Sequence, residues 1–166
     1  IIPFTNQPPV VSALTNFSIP ISTPFILTAN ATDGDGDPIT YCWEQTNKGS
    51  APTAPTATMT SSAVFRSLSP VSSPSRYFPS LTTVLAGNTA NTWEVVPSVG
   101  RTLNFRATVR DYHLIAGCTD EENMTVTTVA GIGPFIITSQ NTASNLTEGA
   151  QATITWNVAN TTNSPV

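Results

Sequence analysis

Charge is what this sequence has least of. Lys, Arg, Asp and Glu make up 10% of its 166 residues, against roughly 25% in an ordinary soluble domain, so Thr, Ser and Asn must carry the work of keeping the surface wet. With six basic residues against ten acidic ones and a net charge of −4, there is no electrostatic basis for gripping a nucleic-acid backbone or an anionic membrane, and neither partner is expected. No apolar run approaches the ~18 residues that would span a bilayer, and no charged-then-apolar leader opens the chain. The apolar start Ile1-Ile2-Pro3-Phe4 reads instead as a segment taken from a longer exported chain. The sequence is also poor in the residues that do chemistry. His113 is its one imidazole, Asp111 is the only orienting group near it in sequence, and no Gly-x-Ser-x-Gly nucleophile motif is present, so an enzyme is not expected.

Helical periodicity is missing as well. Fourteen prolines and nine glycines interrupt the chain too often for a stable amphipathic helix, and the apolar residues alternate. Phe25, Leu27, Ala29 and Ala31 fall on one face of a strand; Ile39, Tyr41 and Trp43 share a face of the next. Leu103, Phe105, Ala107 and Val109 repeat the pattern, and a last strand holds Met124, Val126 and Thr128. A tryptophan in the strand after an early hairpin, facing such an alternating strand, predicts an all-β fold: an immunoglobulin-like antiparallel β-sandwich over residues 1–130. Residues 48–100 form a long insertion. Its first part is dominated by Ser, Thr, Pro and Ala, but the recurring Phe65, Leu68, Tyr77, Phe78, Leu81, Val84, Leu85 and Trp93 should pack it back on the sandwich. At Gly131-Ile132-Gly133-Pro134 the pattern breaks. Residues 131–166 then carry the first strands of a second β-sandwich, Phe135–Thr138 and Ala152–Val158. Some thirty-five residues are too few for an independent core, so this segment either belongs to a truncated second domain or lies against the first to hide Trp156.

Three of the ten acidic residues stand in Asp33-Gly34-Asp35-Gly36-Asp37. Hard oxygen ligands at alternate positions, with glycines that let the backbone curl, suit Ca²⁺; the competing reading is a solvated Asx-rich hairpin whose glycines only supply positive φ. Asp111, at the end of the strand expected beside that hairpin, is the best additional ligand, or else a local cap for the loop that follows it. An EF-hand is excluded, because Pro38 stands where that loop needs glycine.

The two cysteines, Cys42 and Cys118, are expected as one disulfide in an exported chain, over two buried free thiols. Closing a loop of that length would remove about 4–5 kcal/mol of conformational freedom from the unfolded chain. With Trp43 facing inward, Cys42 faces outward, so the bridge requires its strand and the segment before the last strand to be neighbours in one sheet. Tyr77, Phe78 and Trp93 are candidates for a ligand-binding surface, with core packing as the competing reading.

The string from Asn30 to Gln45, Asn-Ala-Thr-Asp-Gly-Asp-Gly-Asp-Pro-Ile-Thr-Tyr-Cys-Trp-Glu-Gln, resembles the hairpin of bacterial cadherin-like and PKD-like extracellular modules. Together with Ser75-Arg76-Tyr77-Phe78-Pro79, the run from Trp93 to Asp111, and Cys118-Thr119-Asp120, it is similar to the immunoglobulin-like C-terminal region of secreted reprolysin-type zinc metalloproteases of gliding bacteria. Gly133-Pro134-Phe135 and Thr153–Val158 resemble the start of the module that follows there. The resemblance implies a monomeric, non-catalytic accessory or spacer module, extracellular or at the cell surface, whose partners are neighbouring domains of the same polypeptide. The protease helix His-Glu-x-x-His is absent, and no protease activity carries over. The other function class is an adhesion module that binds an extracellular protein or glycan through its exposed aromatics.

Overall fold

A computed structural model describes residues 6–49, 54–143 and 145–166; Ile1–Phe4, noted above for their apolar character, lie outside the described residues. The chain is all-β. It runs through β1 (Val10–Val11), β2 (Phe17–Pro20), β3 (Phe25–Thr28), β4 (Ala31–Thr32), β5 (Ile39–Gln45) and β6 (Ser75–Phe78). A five-residue turn of helix, α1 (Leu81–Leu85), separates these from β7 (Arg101–Asp111), β8 (Thr119–Val129), β9 (Ile136–Ile137) and β10 (Trp156–Asn157). No helix among the described residues is long and apolar enough to cross a membrane.

One sheet has the order β2-β8-β7-β5. Its long antiparallel ladders pair β5 with β7, Trp43 opposite Ala107, and β7 with β8, Leu103 opposite Val126. β2 joins the other edge of β8 in parallel, Phe17 opposite Val126. Short ladders, β3 with β6 and β1 with β4, supply the facing layer. The N-terminal segment therefore divides its pairing between the layers, β1 with β4 and β2 with β8. Ser12 still donates to the Asn30 carbonyl at 2.8 Å, and the chain then crosses to the other sheet as β2.

The alternation read from sequence becomes burial. Leu103, Phe105, Ala107 and Val109 are all fully buried, and on the flanking strands β5 and β8 Tyr41, Trp43, Met124 and Val126 complete this side of the core. Phe105 packs edge-on against Phe78 at 4.8 Å between ring centroids, and Phe78 stacks on Phe25 at 5.1 Å, an arrangement that favours aromatic quadrupoles as well as area burial. The 48–100 stretch is built into this core, since Val64, Phe65, Phe78 and Val96 belong to it and β6 is a sandwich strand. Arg101 pins its first half, donating to the carbonyls of Met59 at 2.9 Å and Ser62 at 2.6 Å. α1 was not foreseen from sequence. It is short, has no side-chain cap and buries none of its residues, so it left no apolar periodicity to read.

The disulfide expectation is corrected: Cys42 and Cys118 are both free thiols. Cys42 lies on β5 and Cys118 immediately before β8, and these strands are not neighbours. Cys42 pairs with Thr108 on β7, and Thr108 pairs with Glu121 on β8, three residues past Cys118. Two interstrand spacings come to about 9–10 Å, beyond the ~7 Å between Cα atoms that a disulfide bridges. Each sulfur has another partner. The Cys42 thiol donates to the Leu68 carbonyl at 3.4 Å, and Cys118 Sγ accepts from Asn6 Nδ2 at 3.5 Å. Burial pushes the Cys42 thiol up, and nearby Glu44 adds to the shift against the opposing pull of Arg76, so Cys42 stays protonated and unreactive at neutral pH.

Beyond β8 the chain is held where it leaves the sandwich. Ile21 donates to the Ile132 carbonyl at 3.0 Å, and Phe135 N–H to Thr23 Oγ1 at 3.0 Å. Gly133 has φ +102, and a Cβ there would lie 2.6 Å from Pro20 Cβ and 2.7 Å from the Ile21 carbonyl oxygen, so no other residue fits without displacing β2. β9 and β10 then form a two-stranded ribbon, Ile137 opposite Trp156, which leaves Ile136, Ile137 and Trp156 about half exposed.

Candidate metal centre

The turn between β4 and β5 gathers its carboxylates through its own backbone hydrogen bonds. Gly36 sits at φ +78, and Asp33 folds back over the turn so that its Oδ1 accepts the N–H groups of both Asp35 and Asp37 at 3.0 Å. Asp35 Oδ2 takes the Gln7 N–H at 2.6 Å, which ties the N-terminal segment to the turn. One oxygen from each of the three carboxylates lies within 4.8 Å of the others. With calcium–oxygen bonds of about 2.3–2.6 Å, an ion placed among oxygens gathered this closely could be shared by the three carboxylates. Asp33 Oδ2 and Asp37 Oδ2 are enclosed and have no hydrogen-bond partner. An enclosed carboxylate oxygen without a donor is unfavourable by itself, and a cation is the simplest group that satisfies two at once.

Asp111, the expected fourth ligand, is placed differently. It is fully buried at the end of β7 and does not belong to the convergent triad. Its Oδ2 accepts from Asn6 Nδ2 at 2.9 Å and its Oδ1 from the Cys118 N–H at 2.7 Å, which closes the loop from β7 to β8 and anchors the N-terminal segment on it. Burial alone would push this carboxyl up. The bonds from Asn6, the Cys118 N–H and the His113 N–H, with the charge on His113, outweigh burial and hold it below its ordinary value of 3.8. A depressed carboxyl stabilises the fold above its unfolded-state pKa and loses that contribution as pH falls through its folded-state value. Asp111→Asn should therefore melt well below the wild type at neutral pH, with the gap narrowing once the pH drops under about 4. Melting curves of both proteins from neutral to strongly acid pH check this, and a gap independent of pH would refute it.

Asn6 was not singled out from sequence. It is 7% exposed, it also donates to the Ala116 carbonyl at 3.0 Å, and its Oδ1 is a further enclosed oxygen without a partner. Nothing local marks it, since its partners lie more than a hundred residues away.

The three aromatics do not form one surface. Phe78 is wholly in the core. Trp93 is about half exposed, but the Arg66 guanidinium sits over its ring at 4.2 Å. Tyr77, 41% exposed, lines a cavity that neither of the others lines.

Comparison of the chain with protein-family models, with curated proteins and with solved structures returned no match.

Proposed function

We propose that this chain is a non-catalytic, immunoglobulin-like accessory or spacer module of a larger extracellular protein, stiffened at one end by a calcium ion held by Asp33, Asp35 and Asp37. The observation that carries this reading is the convergence of three carboxylates, two of which hold an enclosed oxygen without a hydrogen-bond partner. The parallel pairing of β2 with β8 and the inward Trp43 support the immunoglobulin-like assignment. The link to a secreted metalloprotease rests on the resemblance of the hairpin, the Trp93–Asp111 run and Cys118–Asp120 alone. A parent gene with a His-Glu-x-x-His segment upstream favours it, whereas a parent built only of repeated modules favours an adhesin.

Calcium should raise the melting temperature by mass action. At a hundredfold excess over Kd the gain is about 2.7 kcal/mol, or roughly 5–10 °C for a chain of this size. Scanning calorimetry in calcium and in chelator tests it, with Asp37→Asn expected to abolish most of the difference. Identical midpoints in the two conditions would remove the metal from the proposal.

A further inference from the structure

We propose that the cavity beside Tyr77 binds a single neutral sugar ring of an extracellular glycan, a site independent of the metal reading. The cavity measures about 250 Å³, the space of roughly eight water molecules at ~30 Å³ each, which suits one pyranose. Its lining is mostly apolar: the buried Tyr41 and Trp43 of β5, with the part-exposed Leu68, Val71, Tyr77 and Leu81 around them. Ser69, Ser73 and Ser80 line it as well; Ser73 Oγ already bonds the Ser75 backbone and Ser80 Oγ the Thr83 hydroxyl, and each keeps a lone pair for a sugar hydroxyl. A pyranose has the matching division, a C–H face for an aromatic ring and a rim of hydroxyls for serines.

Charge narrows the class further. Arg76 is the ionised residue of the lining, and Glu94 neutralises it at 2.9 Å, so neither an acidic nor a basic sugar gains an uncompensated partner. The floor is rigid. Trp43 Nε1 donates to the Pro74 carbonyl at 3.0 Å, and an Arg76 N–H donates to the Trp43 carbonyl, so the pocket is formed before the ligand arrives.

The test is an amide chemical-shift titration of the whole chain with the methyl glycosides of glucose, galactose, mannose and N-acetylglucosamine. At least one should give saturable shifts clustered on Leu68–Leu81, with a dissociation constant on the order of millimolar, as one ring supports. Tyr77→Ala should weaken it about tenfold by removing the stacking face. Leu81→Trp, which adds bulk to the lining, should abolish the shifts while leaving the rest of the spectrum in place. No saturable shift with any of the four, shifts outside this region, or binding that survives both variants would overturn the proposal. Shifts of the same amides by indole but by no sugar would do the same, and would assign the cavity to an apolar side chain.

Discussion

Glu94→Ala is expected to destabilise the protein by about 3–5 kcal/mol, the cost of stranding a buried charge. Glu94 is 4% exposed. Its Oε1 accepts from Arg76 at 2.9 Å, while Oε2 accepts from the Ser80 N–H at 3.0 Å and Asn91 Nδ2 at 3.1 Å. Arg76 lies over the Phe78 ring at 4.6 Å and also donates to the carbonyls of Trp43 and Arg66. This one ion pair therefore fastens the residues around β6 and α1 to the outer edge of β5. Removing the carboxylate leaves a guanidinium in the interior with carbonyls but no counter-ion. Glu94→Gln should lose less, since it keeps an acceptor and the side-chain volume. The double replacement Arg76→Met with Glu94→Leu should recover much of the loss, because apolar residues of similar size often substitute for a buried pair at little net cost. Urea unfolding of the four proteins decides the matter. A loss under about 1 kcal/mol for Glu94→Ala would mean that the pair behaves as a solvated surface contact.

Phe105→Ala should cost about as much, 3–5 kcal/mol, through a different mechanism. Phe105 is wholly buried in the middle of β7, and its ring meets Phe25 at 5.9 Å, Phe65 at 6.3 Å and Phe78 at 4.8 Å. Those partners come from β3, from the 48–100 stretch and from β6, so the void opens where the two layers meet and none of them can close it alone. The midpoint should fall by roughly 6–20 °C. Phe17→Ser, at a side chain 51% exposed, serves as the contrast and should shift stability by no more than about 0.5 kcal/mol. Similar losses at the two positions would argue against Phe105 as the centre of the core.

What could be read from the sequence was whatever is local. The alternation of Leu103, Phe105, Ala107 and Val109 announces a strand, because side-chain direction in a strand has a period of two and needs no knowledge of the partner. The Asp33–Asp37 turn was visible for the same reason: all of its oxygens come from five consecutive residues. The cysteines show where such reasoning stops. An even count and an exported composition say that a bridge is affordable, but not that β7 stands between the two strands. Asn6 and Asp111 meet across 105 residues, and Arg76 and Glu94 across 18 through a stretch whose composition reads as loose. Tyr77 and Phe78 are adjacent and have opposite fates, one lining a cavity and one in the core. Sequence named both as candidates, and only the pairing of β6 with β3 separates them.

The parallel pairing of β2 with β8 matters most when the molecule is pulled. Tension on the two ends draws β2 back toward Phe17 and β8 forward toward Val129. In a parallel pair, Phe17 opposite Val126 through Pro20 opposite Val129, those directions are opposed along the strand axis. The hydrogen bonds of the ladder are then loaded in shear and must fail together, where an antiparallel hairpin pulled from its open end would release them one after another. The chain leaving β8 passes over Pro20 and Ile21 with Gly133 wedged against them, so the load enters next to the ladder it stresses. A ladder loaded in this way should resist extension more than one that unzips, which single-molecule stretching of the chain would read as a higher unfolding force.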